Sequence, residues 1–315
     1  MILLSFVIPL YNNELTVVDT IKSIFNSGVD SKIYELIFVD DESPDDSSTI
    51  VEETMKAADF YNYKIIRKVN GGLSSARNFG LVESRGEFVW FVDADDLINS
   101  DKLKQLVEEL YRERNCIDFM TISVQPYINT SELDHEVDGL KFEKITGPEL
   151  SKRYLSNSRP SYAVQNIWKR HYLLENNFRF PLGLNFEDLA TSYLWSYDAK
   201  TGLIDVSNTW MYGYRQIDGS ITHTVTSKSL LDRLEVLKKM TNILKNQDRL
   251  IEANRLRSHI ISYVMYDALR YKPQLLTTIR KVKQDLEIKI LGTDLLVYYL
   301  TRFQIIRNLL EKGRK

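Results

Sequence analysis

The chain has 315 residues, of which 43% are hydrophobic and 27% charged, with a net charge of −2, the composition of an ordinary soluble globular protein. A single cysteine, Cys116, excludes an intrachain disulfide framework and a cysteine-based metal site, and it favours a reducing, cytoplasmic compartment. No run of about 18 apolar residues occurs, and the apolar N-terminus lacks the basic region and cleavage site of a signal peptide, so we expect neither a membrane-spanning helix nor a secretion signal.

Charge is distributed unevenly along the chain. Residues 1–224 carry 22 basic and 34 acidic side chains, a net charge of −12, whereas residues 225–315 carry 19 basic and 9 acidic ones, a net charge of +10. This asymmetry predicts two regions with different partners, and an anionic surface is a candidate partner for the second.

Strand and helix signals alternate through the first 125 residues. A continuous apolar run predicts a strand at residues 4–8, and a similar pattern predicts a buried strand at 35–40. Strand-like patterns recur at 63–69, 87–93 and 117–124. Helical spacing of apolar residues predicts helices at 17–25, from Pro44 to about 58, at 74–84 and from Ser100 to about 110. Strands that are apolar throughout and alternate with helices predict an α/β fold with a mainly parallel sheet covered on both faces.

The second half of the chain gives weaker signals. Residues 125–145 are polar and mixed, which favours a loop or hairpin, and residues 146–200 have a helical pattern with interruptions. Residues 203–215 are typical of strands, and the pattern from about 225 to the end is helical.

Polar residues follow each of the first four predicted strands. These residues are Tyr11 to Glu14, Asp40 to Ser43, Asn70 to Gly72, and Asp93 with Asp95 and Asp96. In parallel α/β sheets the ligand lies beyond the carboxyl ends of the strands. We therefore expect all four groups to border one crevice.

Asp93 and Asp95 form a D-x-D pattern at the end of a buried strand. Carboxylates this close repel each other and raise each other's pKa, and a divalent cation would relieve that repulsion. Mg²⁺ and Mn²⁺ prefer oxygen ligands, and Mg²⁺ often takes only one or two carboxylates plus substrate phosphates. The alternative is an aspartate-rich loop in which Asp96 caps a turn.

Two further groups have both a functional and a structural interpretation. Asp40 and Asp41 could accept the N–H of a nucleobase, or they could belong to a turn before a helix capped by Ser43. Arg77, in the glycine-rich stretch 70–80, could hold a diphosphate or brace the carboxylates, or it could be solvated on a surface helix.

Taken together, the motifs resemble the family 2 glycosyltransferases of bacterial surface-polysaccharide assembly. The segments that carry the resemblance are SFVIPLYNNE (5–14), FVDDESPDDS (38–47), NGGLSSARNFG (70–80), GEFVWFVDADD (86–96), NIWKRHYLLENNFRFPLGLNFED (166–188) and YGYRQIDGSIT (212–222). The resemblance covers roughly residues 1–225. It implies the Rossmann-like GT-A fold for a catalytic domain at 1–224, with a donor half at about 1–125 and an acceptor half at about 126–224, followed by a helical region at 225–315.

The resemblance also implies roles for individual residues on the donor side. Asp41 would contact the uracil of a UDP-sugar, Asp93 would face the ribose or the sugar, and Asp95 would bind Mn²⁺ or Mg²⁺. The other residues expected to bind substrate are Pro9, Tyr11, Glu14, Asn70, Arg77, Ala94 and Arg215. Family members usually have glycine at the position of Glu42, so the turn after the second strand is expected to differ.

On the acceptor side, the resemblance implies that Asp188 is the general base of an inverting transfer. Glu187 beside it would bind the acceptor or brace the base. No third metal ligand is evident, although His223 lies in a region where one could occur. The leaving diphosphate would be stabilised by the metal and by Arg77 or Arg215.

The expected function is transfer of a sugar from a nucleotide-sugar to a glycan or lipid-linked acceptor, with no nucleic-acid partner. A sugar nucleotidyltransferase is the first alternative, but it would have a glycine-rich, basic loop after the first strand, where this chain has IPLYNNE. A glycoside hydrolase also uses paired carboxylates but needs neither metal nor nucleotide. The third alternative is a non-catalytic nucleotide-sugar-binding protein of the same fold.

Residues 294–315 are apolar with scattered arginine and lysine, and their spacing predicts a helix. This helix could pack on the catalytic domain or on a second subunit of a homodimer. The other interpretation is an amphipathic helix on an anionic membrane, which would place the protein at the inner face of the plasma membrane.

Overall fold

The computed structural model describes residues 1–133, 139–155, 160–216, 225–246 and 249–289. The chain forms two compact units. The first comprises Met1–Ser151, Ser161–Gly183 and Thr191–Ile217, and the second comprises Lys152–Pro160, Leu184–Ala190 and Asp218–Lys315. The domain boundary expected between residues 224 and 225 adjoins residues that are not described, and it stays a prediction.

The strands of the described residues belong to the first unit. They are β1 (Leu4–Leu10), β2 (Tyr34–Asp40), β3 (Tyr63–Arg67), β4 (Phe88–Phe91), β5 (Leu97–Ile98), β6 (Phe119–Thr121), β7 (Val124–Tyr127), β8 (Phe142–Thr146), β9 (Asn166–Lys169), β10 (Thr201–Asp205) and β11 (Tyr212–Arg215). The helices that accompany them are α1 (Val17–Phe25), α2 (Ser47–Ala57), α3 (Leu73–Glu83), α4 (Ser100–Glu113), α5 (Gly147–Leu155), α6 (Arg170–Glu175) and α7 (Asp188–Asp198).

The main sheet has eight strands in the order β3-β2-β1-β4-β9-β6-β10-β8. Six of these strands run in one direction, and β9 and β8 run opposite to them. Every residue of β1 and β2 is buried, as expected for strands covered on both faces. The predicted α/β fold with a mainly parallel sheet is therefore confirmed.

A second, three-stranded sheet lies in the order β5-β11-β7. In it, β11 pairs antiparallel with β5, so that Tyr212 lies opposite Ile98, and parallel with β7. This sheet brings a strand from near residue 212 alongside the segment that follows β4. It therefore positions β11 next to the Asp93–Asp96 turn.

Three local predictions differ from the structure. The second helix begins at Ser47 and not at Pro44, because the Ser43 N–H donates to the Asp40 carboxylate at 2.8 Å and this turn delays the helix. The region 125–145, expected to be a loop or hairpin, contributes parts of β7 and β8. One interruption in the helical pattern of 146–200 is the strand β9, which pairs with β4 and β6.

The described part of the second unit is helical after residue 225. It contains α8 (Ser227–Asn246), α9 (Leu250–Tyr271) and α10 (Leu276–Asp285). The apolar side chains buried on α8 and α9 include Leu230, Leu234, Leu237, Ile260, Ile261 and Val264. The helical prediction is confirmed for these segments, whereas the predicted helix at 294–315 lies outside the described residues. None of the described helices has the combination of length and hydropathy that crossing a membrane requires.

Candidate active site

A cavity of about 510 Å³ lies at the carboxyl ends of β1, β2 and β4. Its lining residues are Pro9, Leu10, Tyr11, Asn13, Asp41, Asn70, Gly72, Leu73, Ala76, Asp93, Ala94 and Asp95. The structure thus brings together seven of the residues predicted to bind substrate or metal. Five of them come from the groups that follow the first four predicted strands, and the other two, Pro9 and Ala94, lie within two residues of those groups.

Asp93 lies at the cavity edge, paired with a buried arginine. The Arg77 guanidinium on α3 donates to the Asp93 carboxylate at 2.7 Å, and the Arg77 side chain is 3% exposed. Arg77 also lies over the ring of Phe180, 5.4 Å from its centre. The interpretation of Arg77 as a solvated residue on a surface helix is wrong, because its guanidinium is buried and braces Asp93.

Asp95 also lines the cavity and has an unusual electrostatic environment. Burial, followed by the negative charge of Asp93, raises the pKa of Asp95 to about 6. The positive charge of Arg215 partly opposes this shift, and the Arg215 Nε donates to the Asp95 backbone carbonyl at 2.7 Å. A second positive charge close to this carboxylate, such as a bound cation, would be stabilised by the same negative field.

Asp96 does not line the cavity and belongs to a buried hydrogen-bond network with β11. Its carboxylate accepts hydrogen bonds from the Tyr212 hydroxyl at 2.7 Å and from the Arg215 backbone N–H at 2.7 Å. The Tyr212 hydroxyl in turn accepts the backbone N–H of Asp93 at 3.1 Å. Burial and the neighbouring carboxylates raise the pKa of Asp96 well above its usual range. Tyr212 therefore fixes the turn that carries Asp93 and Asp95, a role that the sequence did not indicate.

Asp41 holds the glycine loop that borders the cavity. Its carboxylate accepts the backbone N–H of Gly71 at 3.0 Å and of Gly72 at 2.7 Å, and it pairs with the Lys68 ammonium. The Asn70 N–H donates to the Glu42 carboxylate at 3.1 Å. The two carboxylates that follow β2 therefore shape the loop at 70–72. Lys68 was not singled out in the sequence, where nothing distinguishes it from a surface lysine.

Glu42 occupies the position at which the family usually has glycine. Its φ of +63° lies in the left-handed region that glycine adopts easily and other residues rarely adopt. The backbone therefore has a glycine-like conformation here despite the glutamate, and its side chain reaches Asn70.

Tyr11 and Glu14 lie on the solvent side of the same region. Tyr11 is 54% exposed at the cavity. Glu14 does not line the cavity. Its carboxylate accepts the Asp46 N–H at 3.3 Å, and its N–H donates to Asp45 at 2.9 Å, which ties the end of β1 to the start of α2.

The remaining predicted residues fall elsewhere. Glu187, which is 6% exposed, and Asp188, the first residue of α7, belong to the second unit. His223 lies outside the described residues, so its assignment as a metal ligand stays a prediction.

A divalent cation fits the donor atoms present at the cavity. No group of three histidine, cysteine or acidic side chains with metal-binding geometry occurs among the described residues. Asp95 supplies one carboxylate at the cavity, and Asp93 supplies a second that already pairs with Arg77. This set suits Mg²⁺, which often takes one or two carboxylates and completes its shell with phosphate and water oxygens.

Comparison with known proteins identifies the family. Residues 5–172 match the family model described as glycosyl transferase family 2. The putative glycosyltransferase EpsH of Bacillus subtilis is 36% identical over 250 residues, which cover 79% of this chain and 71% of EpsH. The minor teichoic acid biosynthesis protein GgaB of the same organism is 36% identical over 122 residues, 38% of this chain but 13% of that protein.

The structure is also similar to a solved one. It matches S. aureus TarS 1–349 in complex with UDP-GlcNAc with a TM-score of 0.67 at 20% identity, covering 98% of this chain and 92% of that one. At that identity the similarity shows the fold, and it confirms the GT-A fold implied by the sequence motifs. The match over residues 5–172 and the similarity to EpsH show that the chain belongs to glycosyl transferase family 2.

Proposed function

We propose that the protein transfers a sugar from a UDP-sugar to a hydroxyl group of a glycan or lipid-linked acceptor, with inversion and with assistance from Mn²⁺ or Mg²⁺. The observation that carries this proposal is the cavity at the strand ends, in which Asp93 and Asp95 face the same space as Asp41 and the glycine loop. A nucleoside diphosphate and a metal ion need this combination of backbone donors, carboxylates and open volume.

The donor side of the proposal rests on the shape and polarity of the cavity. Pro9, Tyr11 and Asp41 would border the nucleoside, and Asn70 and Ala94 would contact the remainder of the donor. TarS, which has the same fold, binds UDP and UDP-GlcNAc. This supports a uridine nucleotide as the donor type, and the sugar it carries is a matter for experiment.

The leaving group requires charge stabilisation. Asp95, with Asp93 beside it, would hold the metal, which as a Lewis acid stabilises the departing diphosphate. Arg77 keeps the Asp93 carboxylate oriented through a 2.7 Å hydrogen bond. Arg215 positions the backbone of Asp95 and adds a positive charge near the same site.

The acceptor hydroxyl must lose its proton as it attacks the anomeric carbon. We assign this step to Asp188, with Glu187 as a brace or acceptor ligand, because the pair ends the acceptor-side motif at 166–188. A positioned general base typically contributes about 10²–10⁴-fold in rate. The similarity to GgaB, a minor teichoic acid biosynthesis protein, favours an acceptor of the teichoic acid type.

Thermal shift with UDP, GDP and dTDP, each with and without Mn²⁺, tests the donor assignment. Ligand at about 100 times its Kd stabilises a folded protein by about 2.7 kcal/mol, so a UDP-specific, Mn²⁺-dependent rise in Tm is expected. Absence of a shift with every nucleotide would contradict the proposal. In this assay Asp188→Asn should keep the UDP shift, and in a separate sugar-transfer assay it should lose activity. Full transfer by that variant would refute the assignment of the base.

A further inference from the structure

The segment that precedes Asp188 is held by helix α8 of the second unit. The Asn185 N–H donates to the Asp232 carboxylate at 3.3 Å. The Arg233 guanidinium lies over the ring of Phe186, 4.3 Å from its centre. Two consecutive side chains of α8 thus contact two consecutive residues of the segment 184–190, immediately before Glu187.

Both α8 side chains are themselves anchored. Arg233 donates to Asp267 on α9 at 2.6 Å, with side-chain exposures of 17% and 23%. Lys228, one turn earlier on α8, donates to Asp232 at 2.6 Å, and the Asp232 side chain is 13% exposed. The Arg233–Asp267 pair is partly buried and is therefore screened less by solvent than an exposed pair, so it fixes the direction of the Arg233 side chain. The Lys228 side chain is 67% exposed, so its pair with Asp232 is a weaker restraint.

The backbone at Phe186 needs such support. Its φ of +62° lies in the left-handed region, which a residue with a large side chain rarely adopts. A strained conformation of this kind persists when surrounding contacts determine it. The Phe186 carbonyl accepts the Leu189 N–H at 3.3 Å, which closes the turn that leads into α7. Glu187 and Asp188 lie inside that turn, so the backbone geometry of the turn sets the positions from which their side chains extend.

We propose that α8 is the positioning element of the general base, with Arg233 and Phe186 as its principal contact and Asp232 as a second. The inference rests on the proposed role of Asp188. Arg233 and Asp232 are positioning residues, because they contact the segment that leads to Asp188, through the Phe186 ring and the Asn185 N–H, and not the substrate. The proposal gives the helical region after residue 225 a function in the transfer reaction.

The chemistry makes such positioning consequential. A general base must lie within hydrogen-bond reach of the proton it removes. A displacement of about 1 Å by a remote change costs on the order of 10²-fold in rate. Loosening the turn at 184–190 should therefore lower turnover while leaving UDP affinity unchanged, because no residue of the donor cavity belongs to this segment.

Amide hydrogen exchange and kinetics of the full chain test the inference in the variants Phe186→Leu and Arg233→Met. Phe186→Leu removes the aromatic partner but keeps the ion pair of Arg233 with Asp267. We expect the amides of Asn185 and Leu189 to exchange about tenfold faster in both variants.

The kinetic test follows UDP release from UDP-GlcNAc in the presence of Mn²⁺. The rate of release should fall by about tenfold to a hundredfold in both variants, with unchanged affinity for UDP. The double variant should lose no more turnover than Arg233→Met alone, because both changes remove the contact between Arg233 and the Phe186 ring.

Lys238→Met is the matched control, because Lys238 also lies on α8 and pairs with Glu235 through exposed side chains. It should leave exchange and turnover as in the unmodified chain. Unchanged amide exchange in both test variants, or losses of turnover that add in the double variant, would overturn the inference. If the unmodified protein bound no UDP, the proposed function would fail, while the exchange data would still decide whether α8 holds the segment.

Discussion

Asp95 combines a structural cost with the proposed metal site. Its pKa is raised from 3.8 to about 6, so between these values the folded chain binds more protons than the unfolded chain. Its contribution to the free energy of unfolding therefore falls as the pH rises from about 4 to about 6, and above pH 6 the charged carboxylate costs about 3 kcal/mol. A metal ion bound at the proposed site would offset that cost.

The variant Asp95→Asn should separate stability from donor binding. Without metal, we expect it to be more stable than the unmodified chain at pH 7.5 by about 2–3 kcal/mol and to differ little at pH 4, since the cost arises from the charge. Urea unfolding at the two pH values measures this difference. Calorimetry should show that the variant has lost Mn²⁺-dependent UDP binding. The difference in free energy of unfolding between the variant and the unmodified chain should thus favour the variant more at pH 7.5 than at pH 4. The opposite order would contradict the assigned cause of the raised pKa of Asp95.

Tyr212 offers a second prediction for a single residue. Tyr212→Phe removes the donor to Asp96 and the acceptor for the Asp93 N–H. Leaving buried polar groups without a partner costs about 1–3 kcal/mol each, so the free energy of unfolding should fall by that order. Because the same turn carries Asp95, the affinity for UDP with Mn²⁺ should also fall, by about tenfold.

The control for this variant is Tyr111→Phe, which alters an exposed tyrosine on α4. Denaturant unfolding and UDP titration of the two variants give the comparison. Loss of stability with full UDP affinity in Tyr212→Phe would show that the hydroxyl supports the fold and not the site.

The sequence predicted the residues at the cavity better than their contacts. Asp41, Asp93 and Asp95 could be singled out because each follows an apolar strand, and parallel strands end at the same edge. Tyr212 could not be singled out, because its partner Asp96 lies 116 positions away and the local pattern is that of an ordinary aromatic residue in a strand. Lys68 pairs with Asp41 across 27 positions and carries no local signal of its own.

Among the elements, β9 and the start of α2 were the hardest to predict. A strand of four residues is too short to display a period, and β9 acquires its place by pairing with β4 and β6. Pro44 suits the first position of a helix, but the hydrogen bond from Ser43 to Asp40 forms a competing turn. The strands β1 and β2, which are mostly apolar and are buried at every residue, were predicted almost in full.

The packing of α3 on β1 gives a prediction for an element. A Cβ at Gly80 would lie 2.3 Å from the Cγ1 of Val7 and 3.3 Å from the Cγ2 of Val39. In Gly80→Ala, the gain in helix propensity of about 1 kcal/mol is opposed by overpacking of about 1–3 kcal/mol. A contact of 2.3 Å places the overpacking cost at the upper end of its range. We therefore expect urea unfolding to show a net decrease of about 1–2 kcal/mol in the free energy of unfolding.

The same contact predicts a rescue. The double variant Gly80→Ala with Val7→Ala removes the methyl group that would clash, so it should be more stable than the sum of the two single changes predicts. Strict additivity would show that α3 shifts as a whole and does not depend on close approach at Gly80.

For the whole molecule, the charge asymmetry between residues 1–224 and 225–315 leaves the membrane hypothesis to be tested. Residues 290–315 lie outside the described part of the chain, so the hypothesis stays a sequence-based prediction. This segment carries five basic and two acidic residues, a net charge of +3, among apolar residues. A basic residue close to an anionic membrane contributes about 1 kcal/mol, and added apolar burial would be needed for stable attachment.

Sedimentation with phosphatidylserine-containing and neutral vesicles tests this hypothesis, using the full chain and a form that ends at residue 289. The full chain should pellet with the anionic vesicles at low ionic strength, and much less with neutral ones. Pelleting that depends on charge alone should disappear in about 1 M salt, where the Debye length is about 3 Å, whereas a remainder in high salt would measure apolar insertion. If both forms pellet equally, any membrane contact belongs to the rest of the basic region. If neither form pellets, the remaining role for residues 290–315 is packing on this chain or on a second copy.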